Sequence, residues 1–358
     1  MGNTRNFLLY PFSILFRLVT DIRNILYNSG ILKSVEFNIP IICVGNITVG
    51  GTGKTPHTEY LIATLKDKSK VAVLSRGYKR STKGFRIATS ASTTCEVGDE
   101  PLQIKRKFPE IVVAVDGNRV RGVKAILDEF PETEVIILDD GFQHRHIKPG
   151  FSILLTDFSR LISRDYLLPY GNLRESVRNT ARANIIIVTK SPPYIGSETR
   201  IKTAEELKIT SGQQLFFTTL TNGWARPVFN EVPDHILLFS EENKAKKGAL
   251  LITGIAEPKQ LRTYLGNYFG EIKHIEYSDH HRFTRSDLTR IVNSWNTLEH
   301  PEKYIITTEK DAVRLREFDN IEGPVKESMY YLPAGIEFLN DESKLFDNLI
   351  TAYVRKNN

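Results

Sequence analysis

Apolar runs rich in β-branched residues recur along the chain, separated by stretches with room for a helix. Residues 39–44, 71–74, 111–115, 135–138, 153–155 and 185–188 are apolar almost without a break. Between the first two, residues 57–65 carry apolar side chains three and four positions apart, a helical spacing. Continuous runs alternating with helices predict a parallel sheet covered on both faces. The texture changes between Phe216 and Gly248, where Pro227, Pro233 and the charged stretch 241–247 interrupt it. A second pattern of the same kind starts at residues 249–252, continues through 275–277 and returns at 304–306. The chain therefore reads as two α/β domains, and 358 residues are about right for that number.

Residues 7–27 have a different rhythm. Leu8, Phe12, Leu15, Val19, Ile22 and Leu26 form one helical stripe, while Arg17, Asp21, Asn24 and Asn28 fall near the opposite side. Such a helix either packs on the protein's own core or lies in a membrane interface, a place that suits the bulky Phe7, Tyr10, Phe12 and Phe16. A secretory signal peptide is disfavoured, because Arg17 and Arg23 interrupt the run and no Ala-x-Ala-like cleavage site follows. Met1-Gly2-Asn3 opens like a myristoylation signal, but Asn6 stands where Ser or Thr is needed. No apolar stretch approaches the roughly 20 residues that span a bilayer.

Composition adds a globular balance, with 41% apolar and 25% charged residues. Cys43 and Cys95 are too few for a disulfide framework or a zinc site, which fits a reducing compartment. The formal net charge of +6 points to an anionic partner: nucleic acid, an acidic membrane surface or a phosphorylated substrate.

The chemistry starts with Thr48-Val49-Gly50-Gly51-Thr52-Gly53-Lys54-Thr55, between a strand and a helix. Glycines let successive N–H groups turn inward on phosphate oxygens, and the following helix adds the positive end of its dipole. Lys54 then faces the β- and γ-phosphates of a nucleotide, and the Thr55 hydroxyl can ligate Mg²⁺. The general pattern begins with glycine, and here that position is Thr48. Residues 135–138 deliver Asp139 and Asp140 to a strand's carboxyl end, where a Mg²⁺-holding acid belongs. Neighbouring side chains on a strand point opposite ways, so one acid faces the metal unless the strand has already ended.

Gly98-Asp99-Glu100-Pro101 is either a solvated turn with a helix starting at Pro101 or the seat of a carboxylate base. Ser278-Asp279-His280-His281-Arg282-Phe283 sets two histidines beside an aspartate, just before a helix capped by Thr284 with Asp287. No thiolate or third ligand at metal spacing accompanies them, which disfavours zinc. Loop arginines Arg76, Arg119, Arg121 and Arg174 suit bidentate contact with phosphate. They lack interleaved aromatics and the basic excess is modest, so nucleic acid is disfavoured. A GTP-reading module needs an Asn/Thr-Lys-x-Asp motif. Thr189-Lys190-Ser191-Pro192 lacks the acid, and in Thr308-Glu309-Lys310-Asp311 it stands one position early.

Taken in order, these motifs resemble those of the tetraacyldisaccharide 4′-kinase family, the lipid A 4′-kinases of Gram-negative bacteria, over essentially the whole chain. The matching pieces begin with residues 44–56 around the Gly-rich loop, Ser75-Arg76-Gly77-Tyr78, Val97-Gly98-Asp99-Glu100-Pro101 and Asp139-Asp140-Gly141-Phe142-Gln143-His144. They continue with Leu173-Arg174-Glu175, Thr253-Gly254-Ile255-Ala256, Asp279-His280-His281 and Thr308-Glu309-Lys310-Asp311. Thr48 belongs to that pattern, and Glu257 departs from it by replacing an asparagine.

The resemblance implies Mg²⁺-assisted transfer of the γ-phosphate of ATP to the 4′-hydroxyl of an acylated disaccharide 1-phosphate lipid, giving lipid IVA. It implies a monotopic protein at the cytoplasmic face of the inner membrane, anchored by the amino-terminal helix. It also implies two α/β/α domains, the larger a P-loop NTPase-like, mostly parallel sheet, joined by a short β hinge. The expected division is 1–28 for the membrane helix, 29–215 for the P-loop domain, 216–248 for the junction and 249–358 for a smaller domain. A returning hinge strand is expected near 328–338, and strand-like composition suggests that 215–219 and 329–332 form the hinge.

Asp99 is carried over as catalytic base and His280 as its partner, with His281 the alternative. Thr48, Val49, Gly50, Gly51, Thr52, Gly53, Lys54 and Thr55 are carried over as the nucleotide cradle. Asp139 joins Thr55 on the Mg²⁺ side, and Asp140 lies near the reaction centre. Asn46, Arg76, Tyr78, Arg119, Gln143, His144 and Arg174 are implied contacts to substrate or phosphate.

Overall fold

The computed structural model describes residues 7–229, 243–255, 258–318, 321 and 323–357. Glu257 and positions 230–242 of the expected junction lie outside the described residues.

The larger sheet contains β1 (Ile41–Asn46), β2 (Val71–Ser75), β3 (Arg86–Ile87), β4 (Val112–Val115), β5 (Val135–Asp139), β6 (Phe151–Asp157), β7 (Ile185–Thr189) and β8 (Gln214–Asn222). The smaller contains β9 (Arg226–Pro227), β10 (Lys247–Thr253), β11 (Glu271–Glu276), β12 (Glu302–Thr308) and β13 (Met329–Leu332); β14 (Ala334–Phe338) returns to the larger. The orders are β14-β8-β7-β6-β1-β5-β2-β4-β3 and β11-β10-β12-β13-β9. All pairings are parallel except those of the short edge strands β3, β9 and β14. Every residue of β1, β2, β5 and β7 is buried, which is why these strands read as unbroken apolar runs.

Helices α1 (Tyr10–Asn28), α2 (Lys54–Leu65), α3 (Thr94–Val97), α4 (Asp99–Lys107), α5 (Arg119–Glu129) and α6 (Ser197–Leu207) accompany the larger sheet. Helices α7 (Lys259–Leu265), α8 (Arg285–Asn296), α9 (Glu309–Leu315) and α10 (Gly323–Glu327) accompany the smaller. The last helix, α11 (Ser343–Asn357), lays Phe346, Ile350 and Val354 against the larger sheet's core, with Phe338 of β14 beside them.

That return corrects two expectations. Residues 334–357 belong with the larger sheet, so the smaller domain does not run from 249 to 358. The hinge is also different: Met329–Leu332 pairs with β12 in the smaller sheet, and the partner of residues 218–222 is Ala334–Phe338. Pro333 separates the two strands, so the chain changes sheets there instead of continuing one ladder. The outgoing and returning crossings lie side by side, joined by the Gly223 N–H donating to the Pro333 carbonyl at 2.9 Å.

Helix α1 rests on the body through its polar stripe. Ser13, Asn24 and Tyr27 are its buried residues. Ser13 Oγ donates to the Leu167 carbonyl at 2.7 Å, and Asn24 bonds Glu175 and Arg145. The apolar side faces away: Phe12, Leu15, Val19 and Ile22 are 61%, 58%, 59% and 48% exposed. Only Leu26 of the expected stripe is half-buried. Packing on the protein's own core is thus excluded for that stripe. No helix among the described residues is long and apolar enough to cross a membrane.

Candidate active site

Strand β1 lies between β5 and β6, and its carboxyl end releases the Gly-rich loop into α2. Gly53 caps α2 with φ of +80°, a left-handed conformation that glycine adopts freely. Several contacts fix the loop from behind. The Asn46 amide donates to Thr52 Oγ1 at 2.7 Å, and Gln143 donates to the Asn46 carbonyl at 2.5 Å. The Val49 N–H donates to the Asn172 carbonyl at 2.8 Å, and the Arg174 N–H to the Ile47 carbonyl at 2.7 Å. His57, one turn into α2, donates from Nδ1 to the Gly53 carbonyl at 2.7 Å and accepts from Thr218 Oγ1 at 3.0 Å. Burial pushes its pKa down to about 4, so it is a neutral brace for the turn. Nothing in the sequence marked His57 beyond its place after the loop.

Register puts Asp139 beside Val44, next to the loop's root. Strand β5 ends at Asp139, and Asp140 takes a φ of +50° that swings it out of the strand. The strand having ended, Asp140 lies 3.7 Å from Lys54 Nζ and 3.5 Å from Arg174. Asp139 Oδ1 accepts from Thr58, while Asp139 Oδ2 and Asp140 Oδ1 have no hydrogen-bond partner. Burial, then the charges of Glu100 and Asp140, raises the Asp139 carboxyl above its usual range. Burial would raise Asp140 too, but Lys54 and then Arg174 hold it low.

Two buried carboxylate oxygens without hydrogen-bond partners suit a hard divalent cation such as Mg²⁺. Among the described residues no group of three or more His, Cys, Asp or Glu could hold an ion alone. Such a cation would therefore share nucleotide oxygens with Asp139, Asp140 and Thr55.

A stability consequence follows from Asp139. A carboxyl whose folded pKa is raised stabilises the protein fully below its unfolded value and loses that contribution as pH rises through the folded one. Asp139→Asn is expected to raise the melting temperature of the metal-free protein by about 2 °C or more at pH 7.5, with a smaller gain at pH 5. Thermal melts at both pH values check this; an equal or larger gain at pH 5 would contradict it.

The second half of the site joins Asp99 of the larger lobe to side chains of the smaller one. Asp99 opens α4, preceded by Gly98 with φ of +92°, where a Cβ would sit 3.1 Å from the Tyr78 carbonyl. The helix thus starts two residues before Pro101. Asp99 Oδ2 meets His280 Nδ1 at 2.8 Å. His280 Nε2 lies 3.0 Å from Lys310 Nζ, and the Tyr78 ring packs against the imidazole with centroids 5.2 Å apart. His281 turns away to Asp287 at 3.0 Å, the capping acid of α8. Burial pushes the Asp99 carboxyl up, but hydrogen bonds from His280 and Arg314, with their charges, override it and hold Asp99 well below the usual carboxylate range. Thr308-Glu309-Lys310-Asp311 caps α9 through Thr308 and supplies Lys310 to this cluster.

A cavity of about 380 Å³ joins the halves, lined by Gly51, Lys54 and Glu100 on one side and Leu261, Lys310 and Leu332 on the other. Other expected substrate residues fall in three places. Arg119 is buried and donates to the Asp116 and Asp139 carbonyls, and burial lowers its pKa to about 10. Asn46, Gln143 and Arg119 therefore act from behind the loop and the acids. Arg76 and Tyr78 line an open cleft of about 400 Å³ with Lys79 and Arg80. His144, pushed down to about 4 by burial and then by the charges of Arg119 and Arg76, faces a separate cavity of about 740 Å³ near Tyr27.

A Gly-rich loop on the central strand, acids on its neighbour and a carboxylate–imidazole pair between the lobes are the parts of a P-loop phosphotransferase. The family model for tetraacyldisaccharide-1-P 4′-kinase, LpxK, matches residues 5–354. The chain is 46% identical to tetraacyldisaccharide 4′-kinase of Phocaeicola vulgatus, covering 98% of this chain and 95% of that one. It is 43% identical to that of Flavobacterium johnsoniae, over 98% and 97%. A crystal structure of LpxK from Aquifex aeolicus, an apo form in complex with ATP, superposes with a TM-score of 0.73 at 30% identity, over 97% and 98% of the two chains. The chain belongs to the tetraacyldisaccharide 4′-kinase family.

Proposed function

We propose that the protein transfers the γ-phosphate of ATP to the 4′-hydroxyl of a tetraacylated glucosamine disaccharide 1-phosphate, giving lipid IVA, at the cytoplasmic face of the inner membrane. The observation that carries the reading is the meeting of Asp99 with His280 between the lobes, their neighbours Glu100 and Asp279 lining the cavity that holds the phosphate loop. The loop from Thr48 to Thr55 cradles the triphosphate, and Lys54 neutralises charge on the transferring group. Thr55 and Asp139, with Asp140 nearby, would hold Mg²⁺, which would supply charge neutralisation for the transferring phosphate. Asp99 and His280 take the proton from the sugar hydroxyl, a poor nucleophile unaided. Arg76, Tyr78, His144 and Arg174 face the anionic lipid. Closure of the two lobes about the paired crossings excludes water and limits idle hydrolysis.

The purified protein is expected to phosphorylate the lipid disaccharide with Mg²⁺-ATP and to make far less product with GTP. GTP turnover without ATP turnover would overturn the reading.

The exposed apolar side of α1 supports the membrane assignment, since it presents a bulky stripe that no described residue covers. Replacing Leu15, Val19 and Ile22 together by serine is expected to release the protein from anionic vesicles while leaving ATP affinity unchanged. Unchanged sedimentation with vesicles would contradict the anchor.

A further inference from the structure

Helix α9 holds a residue that no motif singles out. Arg314 is 4% exposed, and its guanidinium reaches in two directions. One amino group donates to Asp311 Oδ1 at 3.1 Å and to the His281 carbonyl at 3.3 Å. The other makes a short contact with Asp99 Oδ2 and lies 3.4 Å from His280 Nδ1. Asp311 is itself fixed, accepting from the Gly254 N–H at 2.8 Å and from Thr308 Oγ1 at 2.7 Å. The guanidinium is thus anchored at the end of β10 and the cap of α9. From there it crosses to the first residue of α4 in the other lobe.

We propose that Arg314 is a positioning residue for phosphoryl transfer: it clamps Asp99 across the cleft, so that the proton-accepting pair is complete only when the lobes close. This rests on the kinase reading above. Both partners of Asp99 Oδ2, Arg314 and His280, belong to the smaller lobe, so opening the cleft separates the carboxylate from both at once. Lys310 is an ammonium that only donates, which leaves the lone pair of His280 on Nε2 and the ring hydrogen on Nδ1, facing Asp99. No described residue hydrogen-bonds Asp99 Oδ1, so the clamp leaves that oxygen to the incoming hydroxyl. As the sugar oxygen bonds to phosphorus and ADP leaves with its bridging oxygen, the hydroxyl proton passes to this pair. A buried guanidinium with two fixed carboxylates is a stiff strut, and a small misplacement of a reacting group costs much rate.

Arg314→Met and Arg314→Lys test this. The methionine variant is expected to lower kcat about a hundredfold, with KM for ATP changed less than about threefold. Its acid limb of kcat should move to higher pH, because Asp99 loses a cation that holds its pKa down while His280, Lys310, Asp279, Glu100 and Asp311 stay in place. The lysine variant should recover part of the rate. In the ¹³C-carboxyl spectrum Asp99 of the wild type should show no titration step down to about pH 3, and a step should appear in Arg314→Met. Wild-type kcat and limb in Arg314→Met would overturn the proposal. So would an equal loss in both variants with an unmoved Asp99 titration, the mark of a structural role alone. If the wild type makes no phosphorylated lipid, the kinase reading falls, and the carboxyl titration still judges the clamp.

Discussion

Lys54→Met is expected to cut single-turnover phosphoryl transfer by about a hundred- to a thousandfold, the usual loss for one preorganised charge aimed at the transition state. Lys54 is the first residue of α2, with a side chain 14% exposed and its ammonium 3.7 Å from Asp140. Methionine keeps the aliphatic stem and its packing, so the fold should be untouched while the charge on the transferring group goes uncompensated. The damage extends to the acids. Lys54 is the main charge opposing the burial of Asp140, and it also lowers Asp139. Both carboxyls should therefore hold their protons to higher pH in the variant, and Mg²⁺ should bind more weakly at neutral pH. Measuring transfer from labelled ATP, together with ATP and Mg²⁺ affinities, separates these effects. A turnover within tenfold of the wild type would remove Lys54 from the chemistry.

The parts of this protein that were legible in sequence are those whose physics is local. Strands β1, β2, β5 and β7 are buried on both faces, so their composition alone announces them. The phosphate loop is eight consecutive residues whose backbone makes the site, and it needs no partner to be recognised. Edge strands β3 and β9 are two residues each, too short to carry any period. The hinge was misplaced because residues 329–332 look like a strand in either sheet, and only Pro333 marks the change of partner.

Helix α11 shows the same limit from another side. Its stripe of Phe346, Ile350 and Val354 says that a core is covered, but not which core. In α1 the stripe was visible, yet its direction was settled by Ser13 and Asn24 finding polar partners on the body. Arg314 was out of reach because its partner Asp99 lies 215 positions away, and an isolated arginine in a helix is usually solvated. The motif implies substrate contacts for Asn46, Gln143 and Arg119, and only the fold shows that they also hydrogen-bond Thr52, the Asn46 carbonyl and the Asp139 carbonyl.

Asp99→Asn is the sharpest test of the assembled site, with an expected loss of about 10²- to 10⁴-fold in kcat and little change in ATP affinity. The amide matches the carboxylate in shape, so α4 and its Gly98 start should be preserved. Its oxygen can take the place of Oδ2 and accept from both His280 Nδ1–H and the Arg314 guanidinium, which puts the amide nitrogen, a donor, where Oδ1 stood. The clamp's geometry is therefore kept, while the charge is lost and a donor replaces the acceptor that meets the hydroxyl. Arg314 keeps Asp311, so the stability cost should stay near about 1–3 kcal/mol, below that of a fully orphaned buried charge. The pH dependence fixes the cause. A carboxyl held low in the folded state stabilises above its unfolded pKa and loses that contribution as pH falls through its folded one. The melting-temperature deficit of Asp99→Asn should be full at pH 7 and narrow below about pH 4. A variant turning over at more than a tenth of the wild-type rate would move the base elsewhere. A deficit that stays constant down to pH 3 would mean that Asp99 is held by packing and not by the charges of Arg314 and His280.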